Sequence, residues 1–341
     1  MTVPKEAVRV AIAGASSLLG KELNQWLEES NFPAIDIRLV DEEIVAGTLT
    51  EAGGEPAVIE TVTEDSFERV RFAFFTGSPE FSKRHAAEAR RAGAVVIDLS
   101  GGLGADANAR LWIPTLDAVL TSPVETVPPG EPRSLFVAPS APADAAISIS
   151  AALAPAGLER LAVTVLQPVS ECGPEGIEEL ESQVLKLLSF QPVSQTVFDT
   201  QVGFNLLPSY GPESRVKLGD ARARIANESR RYLGGRAPVP AIMLVQAPVF
   251  YSHAFSVYAE FKAAPVLDDL VRRLHGAGLK VARAKDEPPT NVNVVGESRP
   301  VFRQPERDPG IETGVWLWGA ADNLRVPAAT AVAIAEKLVA S

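Results

Sequence analysis

Val8-Arg9-Val10-Ala11-Ile12-Ala13-Gly14-Ala15-Ser16-Ser17-Leu18-Leu19-Gly20 is the stretch on which the reading of the fold turns. Val8 to Ala13 is a short apolar run rich in β-branched residues and reads as a buried strand. Gly14 and Gly20 punctuate a tight turn, after which Leu19, Leu23, Trp26 and Leu27 recur at helical spacing over Gly20–Glu29. Strand, turn and helix in that order open a βαβ unit. A phosphate at this turn would meet the positive end of the helix dipole and the backbone N–H groups of Gly14, Ser16, Ser17, Leu18, Leu19 and Gly20. A second reading stands beside the first: the two glycines serve only to make the turn and to let strand and helix pack closely. Ser17 replaces the central glycine of a GxxGxxG pattern, so this segment alone leaves both readings open.

Further along, Ile35–Val40 reads as a second strand, Phe72–Thr76 as a third, Phe81–Ala92 as a helix and Ala94–Asp98 as another strand. Such alternation predicts an α/β domain with a doubly wound parallel sheet of Rossmann type. Pro123–Pro132 reads as a loop leading to a strand at Leu135–Ala138 and a helix at Ala143–Leu153. From Leu161 the pattern shifts to longer alternating strands, Ala162–Val169, Ala241–Val249 and Phe255–Phe261, interrupted by helices Gly176–Leu188 and Arg215–Tyr232. That predicts a C-terminal α+β domain with a largely antiparallel sheet. A last helix, Ala328–Val339, is apolar along one face and is expected to pack on the first domain. The expected boundaries are residues 1–140 for a dinucleotide-binding domain completed by 323–341, and 141–322 for a catalytic-type and dimerisation domain. No internal repeat or low-complexity tract is visible.

Asp41-Glu42-Glu43 follows the second strand. An acidic residue there commonly receives a ribose hydroxyl, and its charge repels a 2′-phosphate, so a bound dinucleotide is expected to be NAD rather than NADP. A solvated acidic loop is the other reading of the same residues.

Composition narrows the classes. The chain has 341 residues, 46% of them hydrophobic, enough for two domains with a sizeable core. No apolar run reaches about 18 residues, and the start reads as a short polar leader into a strand rather than a signal peptide. A cytoplasmic protein without membrane contact is expected. Net charge −11 argues against nucleic acid as partner. His85, His253 and His275 lie far apart, so no metal site is expected. The single cysteine, Cys172, excludes an intramolecular disulfide framework.

Six short strings then fall in a telling order. Val10-Ala11-Ile12-Ala13-Gly14-Ala15-Ser16-Ser17-Leu18-Leu19-Gly20 resembles the VAVVGATGAVG of aspartate-semialdehyde dehydrogenases, and Ala94–Asp98 resembles their strand before the substrate-phosphate loop. Gln167-Pro168-Val169-Ser170 resembles QAVS, Phe204-Asn205-Leu206-Leu207-Pro208 resembles FNxxP, Pro248–His253 resembles PVxxGH, and Asp322-Asn323-Leu324-Arg325 is DNLR. The chain is identified as a member of that family by resemblance. The resemblance implies NADP-dependent interconversion of aspartyl phosphate and aspartate semialdehyde through a cysteine thioester, a homodimer or tetramer, and a role in amino-acid biosynthesis.

The departures are concentrated at the chemistry. Where the family has NPNCST, this chain reads Ala138-Pro139-Ser140-Ala141-Pro142-Ala143, which puts Ala141 at the nucleophile position. The arginine that holds the substrate phosphate falls at Gly104, the arginine that clamps the carboxylate at Gln246, and the acidic substrate contact at Ala221. Its neighbouring lysine becomes Arg224, and the arginine facing a 2′-phosphate falls at Ile44. Glycine or a neutral amide cannot replace a bidentate guanidinium. His253 matches the acid/base position, Gln167 the substrate-orienting amide, Ser170 and Asn323 cofactor contacts. Retention of His253 for packing alone is the competing reading.

Val245–Tyr251 and Trp318–Asn323 are most similar to the Cys-less Usg-type branch of the family. Cys172, beside Glu171 where the family has glycine, is expected to be a small buried side chain rather than a reactive thiol. The resulting expectation is a catalytically impaired homologue that keeps dinucleotide binding and dimerisation. The alternatives are an active dehydrogenase with an altered site and substrate, or a regulatory subunit that pairs with an active paralogue.

Overall fold

The computed structural model describes residues 8–45, 47–52, 55–120 and 134–340. The loop expected at Pro123–Pro132 lies outside them. Two compact units emerge: Met1–Pro114, Glu125–Pro139 and Pro327–Ser341 in the first, Thr115–Val124 and Ser140–Val326 in the second.

The strands of the first unit are β1 (Val8–Ala13), β2 (Ala34–Asp41), β3 (Leu49–Ala52), β4 (Glu55–Val58), β5 (Glu60–Thr61), β6 (Phe72–Phe75), β7 (Val95–Asp98), β8 (Arg110–Leu111) and β9 (Leu135–Val137). Its helices are α1 (Leu18–Glu29) and α2 (Pro79–Arg91), followed at the C-terminus by most of α7 (Arg325–Ala340). Seven strands form one parallel sheet in the order β5-β2-β1-β6-β7-β9-β8, and β3 and β4 pair separately as an unanticipated hairpin.

Successive side chains of β1 serve opposite faces, as the period of two requires. Val8, Val10 and Ile12 pack with Leu23 and Leu27 of α1 and with Ala328, Ala331 and Val332 of α7. Ala11 and Ala13 pack with Phe81, Ala86 and Ala89 of α2. Each fully buried valine or isoleucine contributes roughly 1.5–3 kcal/mol through burial, so an unbroken apolar run is what a sheet covered on both faces demands. The C-terminal helix docks on the first unit because its small and β-branched residues complete this face.

The second unit contains α3 (Ala141–Leu153), β10 (Leu158–Gln167), α4 (Gly173–Leu188), α5 (Leu218–Leu233), β11 (Ala241–Gln246), β12 (His253–Phe261), α6 (Leu267–Gly276), β13 (Lys280–Val281), β14 (Val301–Phe302), β15 (Glu306–Arg307) and β16 (Gly314–Ala321). Its sheet runs β11-β10-β12-β16-β14-β13; β12 is antiparallel to β10 and β16, while β11 joins parallel to β10. All of α3 is buried, and it starts at Ala141 rather than Ala143. Pro142 occupies a first-turn position whose N–H would have no intrahelical partner, so the ring begins the helix instead of delaying it.

Candidate functional site

In the first unit the chain passes from β1 to β2 and β5 on one side, then crosses to β6 on the other. Ligands of such sheets bind beyond the carboxyl ends of the strands where the order reverses. The turns after β1 and β6 meet there. Gly14 has φ +92°, and a Cβ on it would lie 2.2 Å from the Gly77 nitrogen. Gly20 is equally confined, since its Cβ would fall 2.6 Å from the Gly14 carbonyl oxygen. Thr76 Oγ1 donates to that carbonyl at 3.0 Å and stitches the two turns together. Gly77 was not singled out in the sequence, although a glycine directly after an apolar strand and before Ser78-Pro79 is a recognisable turn signal.

Ser17 does not block the turn. Its hydroxyl accepts from Gly20 N at 2.9 Å as the N-cap of α1 and donates to the Thr76 carbonyl at 2.9 Å. Gly14 N and Ala15 N donate to the Val40 carbonyl, Ser17 N to the Gly14 carbonyl, and Ser16 N to Asp41 Oδ2. The amides that α1 leaves without an intrahelical partner by its own geometry are those of Leu18 and Leu19, at the helix N-terminus. The turn therefore fits a dinucleotide: the phosphates would be held by these two N–H groups and the dipole behind them. Asp41 is buried rather than solvated, whereas Glu42 is half-buried and pairs with Arg84 at 3.1 Å.

Gly104, also in the first unit, lies in a loop organised by the buried Asp98, which accepts from Ser100 N, Ser100 Oγ and Leu103 N. A Cβ on Gly104 would meet only the Gly101 carbonyl oxygen, at 3.4 Å. The backbone does not demand glycine there.

In the second unit, Ala141 is the first residue of α3 and Ser140 is its N-cap residue. The carboxylate of Glu228, on α5, closes this helix start: Oε2 accepts from Ser140 N at 3.1 Å and from Ser140 Oγ at 2.7 Å. Arg224 Nε donates to the other oxygen at 2.8 Å, which pairs its guanidinium with Glu228. Ala221 lies one helical turn earlier on α5.

Gln167 and Gln246 end the neighbouring strands β10 and β11 in direct register. Gln246 is fully buried; its Nε2 donates to the Gln167 carbonyl at 2.9 Å and the Ala247 carbonyl at 2.8 Å, and its Oε1 accepts from Tyr210 Oη at 2.7 Å. Gln167 Nε2 donates to Tyr210 Oη at 3.2 Å. Both amides face a phenol of the chain itself. Cys172 Sγ lies 3.9 Å from the same hydroxyl, and burial pushes its thiol up to about 12, with Glu171 and Glu179 adding to the rise. It is protonated at neutral pH and is a poor nucleophile. Burial likewise raises the Tyr210 phenol. Tyr210 and Glu228 carried no signal in the sequence, because each acts through a partner that only folding brings near.

His253 opens β12 and is fully buried, and neither ring nitrogen has a hydrogen-bond partner. Burial lowers its pKa, with Glu171 and Asp322 opposing, which leaves the ring neutral. Glu171 Oε1 lies 4.0 Å from Nε2 but accepts a hydrogen bond from Asn323 Nδ2 at 3.1 Å. Asn323 Nδ2 also reaches Ser170 Oγ at 3.1 Å, and its Oδ1 accepts from Ser252 N at 2.9 Å, where Ser252 sits at φ +66°. Ser170 and Asn323 are therefore brought together, as an internal pair.

Among the described residues no group of three or more His, Cys, Asp or Glu is placed to hold a metal, and no helix is long and apolar enough to cross a membrane.

Comparison with known proteins agrees with this architecture. Residues 9–122 match the family model for the semialdehyde dehydrogenase NAD binding domain, and residues 150–326 match that for the semialdehyde dehydrogenase dimerisation domain. Aspartate-semialdehyde dehydrogenase 2 of Vibrio cholerae is 29% identical over 97% of both chains. The USG-1 protein homolog of Pseudomonas aeruginosa is 30% identical over 98% of both. The solved structure of a probable aspartate-semialdehyde dehydrogenase from Pseudomonas aeruginosa superposes with TM-score 0.86 at 27% identity, covering 98% of this chain and 99% of its own. With both domain models matched in order and relatives of both kinds aligned almost end to end, the chain belongs to the semialdehyde dehydrogenase family, where it stands with the Usg-type branch.

Proposed function

We propose that this chain is a catalytically impaired member of its family that binds a dinucleotide through its first unit and dimerises through its second. The observation that carries the reading is the state of Gln246. A residue at the carboxylate-clamping position should offer a substrate free hydrogen-bonding capacity. Instead this amide is buried and spends its hydrogen bonds on Gln167, Ala247 and Tyr210. Ala141 supplies no nucleophile at the start of α3, Arg224 is held by Glu228, and Gly104 offers no charge. The Cys172 thiol cannot substitute, being kept protonated by burial.

The dinucleotide reading draws on the Leu18 and Leu19 amides and on the close Gly14–Gly77 approach, and the acidic end of β2 favours NAD over NADP. For dimerisation, register places Met243, Thr164, Ser256 and Trp318 in one row and Ala241, Ala162, Tyr258 and Trp316 in the next. Met243, Trp316 and Trp318 are exposed there. Contiguous exposed aromatic surface of this kind is what a homodimer buries.

The deciding assay follows phosphate-dependent reduction of NAD and NADP with aspartate semialdehyde, beside calorimetric titration of both cofactors. Binding without turnover is expected. Turnover near one per second that disappears in His253→Ala would overturn the reading.

A further inference from the structure

Gln246 stands in register with Gln167 at the ends of β11 and β10, and the backbone decides how its amide is turned. Its Nε2 donates to two carbonyl oxygens, that of Gln167 at 2.9 Å and that of Ala247 at 2.8 Å. Turned over, the amide would set its own oxygen against those two oxygens, so Oε1 is the atom it presents to its neighbours. This Oε1 in turn orients Gln167, whose Nε2 lies 3.4 Å away. The pair therefore offers one acceptor and one donor side by side, on two buried side chains.

A group that satisfies both amides must itself donate and accept. A neutral hydroxyl does so, whereas a carboxylate has no proton for Gln246 and an ammonium has no lone pair for Gln167. The Tyr210 hydroxyl occupies that point, donating to Gln246 Oε1 at 2.7 Å and accepting from Gln167 Nε2 at 3.2 Å. Its ring stands edge-on to Phe198, with centroids 5.2 Å apart, and packs on the buried cluster of Val169, Leu180, Phe198, Val202 and Leu207. The slot is apolar along the ring and polar where the amides lie, which is the outline of a phenol.

We propose that Gln167 and Gln246 form a hydroxyl-reading subsite with Tyr210 as its internal occupant, and that the ligand it takes once vacated is a phenol, with carboxylates turned away. An arginine at position 246 would present donors only. Glutamine, held by two carbonyls, presents an acceptor, so the polarity of the position is reversed rather than weakened. A carboxylate brought against Oε1 would give up its water with no proton to share in return, and such desolvation is costly. The inference rests on the proposed reading that this pocket no longer serves a carboxylate substrate, and it adds the chemistry that the pocket recognises instead.

The test vacates the slot in the full chain with Tyr210→Ala and follows calorimetric titration and the thermal midpoint with 4-methylphenol, toluene and benzoate. Tyr210→Ala is expected to bind 4-methylphenol about ten-fold or more tighter than toluene, which fills the slot without a hydroxyl, and to show no saturable binding of benzoate. The phenol should raise the midpoint of the variant and leave that of the wild type, whose slot is filled, unchanged. When Gln246→Met is combined with Tyr210→Ala, the advantage over toluene should fall to about three-fold or less. Should Tyr210→Ala fail to fold, urea unfolding of Tyr210→Phe decides: the folding equilibrium constant should drop about five-fold or more in the wild-type background and about two-fold or less beside Gln246→Met. Equal drops in both backgrounds count against the subsite. Toluene bound as tightly as 4-methylphenol, or benzoate bound at least as tightly, overturns the inference and leaves the proposed function standing. Turnover of aspartate semialdehyde by the wild type overturns both, since a carboxylate substrate would then be accepted at this pocket.

Discussion

The turn from Gly14 to Gly20 and the polar cluster around Gln246 both sit at strand ends where a ligand would be handled, yet they have met sequence change differently. In the turn, the groups that would hold a phosphate are backbone N–H groups of Leu18 and Leu19, and Ser17 folds its hydroxyl into the cap without covering them. Around Gln246, the groups that would hold a substrate are side chains, and they have closed on one another and on Tyr210. A site made of backbone survives substitution so long as its glycines remain. On the proposed function, a site made of guanidinium, thiolate and carboxylate would be lost one replacement at a time, and buried polar groups left behind would need internal partners because an unmade hydrogen bond is costly.

The strongest attempt to break this contrast is Ala141→Cys. If the second unit kept a working pocket, a thiol at the first position of α3 would restore semialdehyde oxidation. We expect none above background, since the thiol returns a nucleophile but not the charged groups that would position a substrate against it. The Glu228 carboxylate caps that same helix start and opposes thiolate formation. Activity is expected only when Gln246→Arg and Gly104→Arg are added. Substantial turnover by the single mutant would show that the pocket is intact.

Gly14→Ala probes the other side of the contrast. A left-handed backbone and a Cβ 2.2 Å from Gly77 N should cost about 2–4 kcal/mol of stability, read as a lowered denaturant midpoint together with loss of dinucleotide binding. An unchanged midpoint would mean that the two turns do not approach as described. Gln246→Leu should cost about 1–3 kcal/mol, because it removes the acceptor of the Tyr210 hydroxyl and one donor to each of the Gln167 and Ala247 carbonyls in a buried net. A neutral or stabilising result would show the net to be dispensable.

Acid should expose His253. Its folded-state pKa lies below the unfolded value of about 6.5, so the unfolded chain takes up a proton that the native chain refuses. The native state is therefore favoured above pH 6.5 and loses stability as pH falls from about 6.5 toward the folded pKa, at up to about 1.4 kcal/mol per pH unit. His253→Gln should flatten this slope in urea titrations at stepped pH, and an equal slope in both proteins would remove His253 as its cause. The smallest effect belongs to Glu42→Gln. Its pair with Arg84 is exposed on both sides, so the stability change should stay within about 0.5 kcal/mol.

Much of this was legible from residue order. The β-branched run Val8–Ala13, the paired glycines and the helical spacing after them determine a parallel sheet covered on both faces, because only a doubly buried strand affords so unbroken an apolar run. The family resemblance also implies that a nucleophile and two arginines are replaced at Ala141, Gly104 and Gln246. The sequence reading starts α3 at Ala143, two residues late, since Pro142 is a permitted first-turn residue. What tertiary structure alone decided is where the remaining polar groups point. Asp41 meets Ser16 across 25 residues, Ser140 meets Glu228 across 88, and Gln167 meets Gln246 across 79. Hydrogen bonds act over about 3 Å, and no local pattern of residue types encodes which distant partner folding will bring within that distance.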